Sequence, residues 1–242
     1  MLVLALDTST PEVTAGVVVL RSPHELIAAL QAGQPARPAR VLAQRKVVDP
    51  LGHAEKLMPL VSEALVAAGY TVRDLDAVVV GIGPGPFTGL RVGMVTGAAL
   101  GDALHIPVHG VPGHDAVARS LHPLPGELLV VTDARRREVY VSGYRADGRR
   151  VLGPAVVVPA AVAELLAERG LTPGHVTGAG AALLVDPELN VLTPPADAPA
   201  LGLVEAAATP LLTGAQPGPL VPLYLRRPDA TVPGARKSVL GR

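Results

Sequence analysis

Residues 78–104 read VVVGIGPGPFTGLRVGMVTGAALGDAL, and the fold follows from how this stretch is parsed. Val78, Val79 and Val80 form a short apolar run, the pattern of a buried strand. The run ends in Gly83-Pro84-Gly85-Pro86, a loop that two prolines and two glycines keep out of regular structure. Thr88 is then the expected cap of a helix reaching about Leu104. Within that helix Gly89, Gly93, Gly97 and Gly101 recur every fourth residue, so they share one face. A helical glycine costs about 1 kcal/mol relative to alanine, and the usual compensation is the close approach of another backbone.

Working outward, residues 53–68 (HAEKLMPLVSEALVAA) predict a second helix, stopped by Gly69. Leu57, Leu60, Val61, Ala64 and Leu65 form its stripe, and Met58 and Val66 carry apolar surface beyond a single face. On the first helix Leu90, Met94 and Ala98 are apolar opposite the glycines. The glycines alone fit two readings equally, a seat on the helix's own sheet or the approach of another chain; two neighbouring helices that are apolar most of the way round favour the second, because they need a cover besides their own sheet. The expected partner interface is therefore His53, Leu57, Met58, Leu60, Val61, Ala64, Leu65, Leu90, Gly93, Met94, Gly97, Ala98 and Gly101. On this reading Gly97→Leu leaves the monomer folded and abolishes association.

Residues 2–6 and 13–20 predict a hairpin around Asp7-Thr8-Ser9-Thr10. Residues 21–40 are rich in Ala, Pro and Arg without a clear period and read as a surface insertion, followed by a strand at 41–48. Residues 108–111 return to the sheet. From about residue 127 the pattern restarts, with strands at 128–132 and 139–144 around Asp133-Ala134-Arg135-Arg136-Arg137-Glu138. A strand at 151–158, a helix at 160–169 and a helix at 201–212 follow, joined by Pro-rich segments at 193–199 and 216–222. Two α/β halves in tandem are expected, divided at 110 and 111. Residues 226–242 hold five basic residues against one Asp.

The chain has 242 residues, enough for a sizeable core. With no Trp and one Phe, that core must be built from Ala, Val and Leu. The 26 Gly and 25 Pro far exceed average usage of roughly 12%; codon bias accounts for part of this. Lys and Arg balance Asp and Glu at 21 each, which argues against primary nucleic-acid binding. The absence of Cys excludes disulfides and thiolate chemistry. The N-terminus reads as a first strand, not a leader, and no run is long enough to span a bilayer; a cytoplasmic protein is expected.

Candidate chemistry is sparse. Asp7, Thr8 and Ser9 can hold a phosphate at a strand turn, and ordinary turn chemistry explains them as well. Gly83 and Gly85 precede a helix N-terminus, a natural anion site. No Gly-Lys-Ser/Thr follows, however, and the prolines remove amide donors. His105 and His109 have metal-like spacing broken by Pro107. His53 stands alone at a helix start. The residues describe a fold whose active site is missing.

The segments Leu6-Asp7-Thr8-Ser9, His53-Ala54-Glu55, the loop from Gly83 to Gly93, Asp133 to Tyr140, and Pro222-Leu223-Tyr224-Leu225-Arg226 occur in this order in one family. The chain resembles the TsaB (YeaZ) family, dimerisation subunits of the bacterial tRNA threonylcarbamoyladenosine complex. The resemblance implies an actin-like ATPase-domain (ASKHA, ribonuclease H-like) fold with two related lobes. It implies a heterodimer with the catalytic paralogue TsaD, the ATPase TsaE in the complex, a homodimer when alone, and tRNA contacted indirectly. It implies that the partners use ATP while this chain binds no cofactor tightly, its phosphate loops (Asp7, Thr8, Ser9, Gly83, Gly85) being degenerate. In TsaD the helix matching 53–68 carries a His-x-x-x-His metal pair. Here His53 matches the first position and Leu57 stands at the second, so no metal is expected. The competing readings are an actin-fold small-molecule kinase and a glycoprotease-like metallopeptidase.

Overall fold

In the computed structural model, residues 1–33, 37–184, 189–194 and 198–226 are described. The first sheet contains β1 (Leu2–Asp7), β2 (Glu12–Leu20), β3 (Ala39–Val48), β4 (Ala77–Gly81) and β5 (Val108–Val111), in the order β3-β2-β1-β4-β5. β1, β2 and β3 run antiparallel, while β4 and β5 join β1 in parallel. The second sheet contains β6 (Leu128–Asp133), β7 (Val139–Tyr144), β8 (Arg150–Val157), β9 (His175–Thr177) and β10 (Asn190–Leu192), in the order β10-β9-β6-β7-β8. Its pairings repeat those of the first: an antiparallel meander β6-β7-β8, with β9 and β10 parallel to β6. The two expected related lobes are present.

Alternation along β1 sets the layers. Leu2, Leu4 and Leu6 face one side, packed with α2 (His53–Ala68) and α3 (Phe87–Leu104). Val3 and Ala5 face the other, packed with α6 (Ala198–Ala206) and α7 (Ala208–Thr213). The expected division between 110 and 111 falls inside β5, whose last residue is Val111. The chain returns at α6 and α7 to cover the back of the first lobe, because β1, β2 and β4 leave that apolar face otherwise bare. α4 (Gly113–Leu121) lies against α6, where a side chain at Gly202 would strike the Ala116 carbonyl. α4 also reaches Leu128 and Val130 of the second sheet.

Two local expectations are corrected. The stretch at 21–40, read as a surface insertion without a clear period, contains a helix: α1 (Pro23–Gln31) opens with a capping box in which Ser22 and Glu25 bond each other's backbone amides. Thr88 is not the cap of α3; Pro86 occupies that position without a side-chain bond, and Thr88 is exposed in the first turn. α2 does end at Gly69, in the left-handed conformation that glycine favours.

The glycine stripe faces inward. A Cβ on Gly97 would lie 2.4 Å from Val80 Cγ1, and one on Gly101 would lie 2.2 Å from Val108 Cγ2. Gly89 and Gly93 meet Thr8 at the end of β1. Of the two readings open for the glycines, the structure shows the seat of α3 on its own sheet and not a groove held open for another chain. Gly97→Leu should therefore destabilise the monomer itself. Overpacking of this kind costs about 1–3 kcal/mol or more, so thermal denaturation should show a midpoint lowered by roughly 5 °C or more.

Candidate functional site

Two places could carry function: the cleft between the lobes, and the outer surface of α2 and α3. The cleft begins at the turn after β1. Thr8 is fully buried, and its hydroxyl stands between an i and i+4 pair of α3. It donates to the Gly89 carbonyl at 2.7 Å and accepts from the Gly93 amide at 2.9 Å. Asp7 Oδ1 accepts from the Ser9 amide at 2.8 Å, and the backbone of Gly81 lies directly against the carboxyl. Burial raises the Asp7 pKa above its ordinary value, against the lowering effect of the Ser9 bonds. Gly85 is required because the Ser9 carbonyl occupies the space of a side chain. Gly83 holds a positive φ of 99° and accepts from the Gly113 amide at 2.8 Å.

His53 Nε2 lies 2.9 Å from the Thr10 carbonyl. A carbonyl can only accept, so this nitrogen carries the proton and donates. Leu57 is in the core. Among the described residues no three His, Cys, Asp or Glu side chains are grouped as metal ligands.

The second lobe repeats the turn. Asp133 Oδ1 accepts from the Arg135 amide at 2.7 Å, as Asp7 does from Ser9. The following residues differ: Arg135, Arg136 and Arg137 all have positive φ, of 63°, 53° and 63°. That region costs a non-glycine residue roughly 1–2 kcal/mol.

Residues 220–226 cross the cleft as a strap. The Leu223 amide donates to the Ile82 carbonyl at 2.9 Å. Tyr224 stacks on Phe87, with ring centroids 4.1 Å apart, and its hydroxyl accepts from Arg91 Nε at 2.6 Å. Arg226 then reaches the second lobe, donating to the Ala134 carbonyl at 2.8 Å and pairing with Glu138 at 2.7 Å. The remaining cleft, about 390 Å³, is walled by Pro11, Pro84, Phe87, Tyr140, Tyr224 and Arg135. Composition held a signal for the strap: the chain's one Phe is half of its aromatic stack.

His114 follows His105 and His109 in the sequence, where spacing alone gives it no role. It is buried, with Nδ1 2.8 Å from Ser142 Oγ and Nε2 2.9 Å from Thr132 Oγ1. Beside it Asp115 accepts from the Tyr144 hydroxyl at 2.7 Å and pairs with Arg150 at 2.9 Å.

On the helices, Leu57, Leu60, Val61, Ala64, Leu65 and Met94 are buried in the protein's own core. Leu90, His53, Gly93, Gly97 and Gly101 are buried too. Of the expected interface residues only Met58 and Ala98 are exposed. Inward-facing side chains cover β1, β2 and β4, which a stripe read without its sheet does not reveal. Ala98 sits in a groove with Gly101, Asp102, Leu211 and Leu220. Outer rows remain: Met58, Ser62 and Val66 on α2, and Arg91, Val95 and Ala99 on α3, all exposed.

Residues 50–210 match the family model described as TsaD: tRNA N6-adenosine threonylcarbamoyltransferase. An uncharacterised protein of Mycobacterium tuberculosis is 49% identical over 94% of this chain and 93% of its own length. The tRNA threonylcarbamoyladenosine biosynthesis protein TsaB of Escherichia coli is 32% identical over 40% of this chain and 43% of its own length. The solved YeaZ of Pseudomonas aeruginosa superposes with a TM-score of 0.65 at 26% identity, covering 92% of this chain and all of that one. Fold and matches define an actin-like ATPase-fold (ribonuclease H-like) protein related to the tRNA threonylcarbamoyltransferases. Within that group, the chain belongs to the TsaB/YeaZ family.

Burial drops the His114 pKa from 6.5 to about 3, so the folded ring stays neutral where an unfolded one charges. Unfolding then takes up a proton between pH 6.5 and 3, and stability falls with pH across that window by up to about 1.4 kcal/mol per unit. Urea denaturation should show this slope, and His114→Gln should flatten it.

Proposed function

We propose that this chain is a non-catalytic subunit that binds a TsaD-type catalytic paralogue and supports formation of N6-threonylcarbamoyladenosine on tRNA. The observation that carries the reading is the pairing of occupied site positions with an unoccupied helical face. Thr8 has spent its hydroxyl on α3, the Ser9 carbonyl fills the approach to Gly85, and His53 is committed to Thr10. These arrangements favour neither the kinase nor the metallopeptidase reading. Met58, Val66 and Val95 are 43%, 79% and 67% exposed on adjacent helices. Apolar residues rimmed by charge, here Glu55, Lys56 and Arg91, are the anatomy of a protein interface.

The same face serves self-association when the partner is absent. ATP is used by the catalytic subunit and by a TsaE-type ATPase, and this chain retains no nucleotide of its own. The complex works in the cytoplasm; no helix among the described residues is long and apolar enough to cross a membrane.

Co-purification with the TsaD-type paralogue tests the reading. Met58→Asp combined with Val95→Asp should weaken association at least about 30-fold, the equivalent of about 2 kcal/mol, with the monomer's melting temperature unchanged. Full retention of the partner by the double variant would remove the face from consideration. Calorimetric titration with ATP should show no binding to the isolated chain.

A further inference from the structure

We infer that the turn between β6 and β7 is a direct contact site for the phosphate backbone of RNA. The catalytic partner performs the chemistry on tRNA in the function proposed above. This inference rests on that reading for the identity of the RNA, and goes beyond it in giving this chain its own grip.

Arg135, Arg136 and Arg137 are consecutive, all exposed and all left-handed. Glycine or asparagine adopts this backbone without strain, so turn formation alone does not explain three arginines. The turn is also ordered. The Ala134 amide bonds the Glu138 carbonyl at 3.0 Å, the Glu138 amide bonds the Arg135 carbonyl at 3.0 Å, and Ala134 is buried beneath. Guanidinium groups held on a fixed turn lose little freedom on meeting a phosphate, and arginine's planar fork suits phosphate oxygens.

A second observation converges on the same place. Arg226 is fastened to the base of this turn through Ala134 and Glu138. Within the turn, four arginines counting Arg226 stand against the carboxylates of Asp133 and Glu138. In a chain of zero net charge, this turn is locally basic. Overall neutrality fits an auxiliary contact, one that adds to a partner's hold on the RNA.

The test is a binding titration of the full chain with an unmodified tRNA transcript at several salt concentrations, for wild type and the Arg136→Gly/Arg137→Gly variant. Glycine suits both backbone positions, so the variant should melt no lower than wild type. Expected are salt-dependent binding by wild type, about 10-fold weaker binding by the variant at low salt, and a log–log salt slope reduced by about 2. Equal affinity and slope, or no salt-dependent binding by wild type, overturns the inference. So does a variant that binds RNA normally and loses the catalytic subunit, which would make the turn a protein contact. Co-purification with the catalytic subunit is measured in parallel. If wild type fails to associate, the proposed function falls while the RNA titration still stands or falls on its own.

Discussion

Everything on the front of the first lobe depends on how closely the end of β1 approaches α3. Thr8 inserts its hydroxyl between the Gly89 carbonyl and the Gly93 amide, and this is possible only because neither position carries a side chain. One hydroxyl thus bonds two backbone groups a helical turn apart and holds the end of the strand against the helix. Gly97 and Gly101 continue the approach over β4 and β5. With α3 seated this low, α2 packs beside it, His53 reaches Thr10, and the remaining apolar side chains are turned outward. The outer face is thus a by-product of the inner contact.

The two lobes share a topology and have diverged in what they place on it. Both end their first strand in an aspartate whose Oδ1 caps the amide two residues on. In the first lobe the next residues are small hydroxyls buried under a helix; in the second they are exposed arginines. Between β4 and β5 runs the long α3, whereas the described residues between β9 and β10 hold a single 3₁₀ turn at Ala181–Leu183. The cleft thus has one built wall and one reduced wall. The strap of Leu223, Tyr224 and Arg226 ties them together.

Much of this was legible in the sequence. The bounds of α2 follow from its stripe and Gly69, and the restart of the pattern near residue 127 announced the second lobe. The glycine ladder was visible, but not its direction. A repeat of four says that something comes close, and both an own sheet and a foreign helix satisfy that. Only the alternation of Leu2, Leu4 and Leu6 beneath it decides. α1 was passed over despite Ser22 and Glu25 at capping-box spacing, because its composition resembled a linker. The spacing of His114 after His105 and His109 gave no hint of its partners, since Thr132 and Ser142 come from separate strands. The basic tail, beyond Arg226, lies outside the described residues.

The return of α6 and α7 to the first lobe has a consequence for synthesis. Val3, Ala5, Val18 and Val79 share their cluster with Ala200, Leu203, Val204 and Leu211, which supply most of their helical cover and come late in the chain. While the ribosome is still building the second lobe, the nascent first lobe therefore presents an oily back to solvent. That surface stays adhesive until nearly nine-tenths of the chain has emerged, a long window in which a chaperone, or a neighbouring nascent chain, can reach it first.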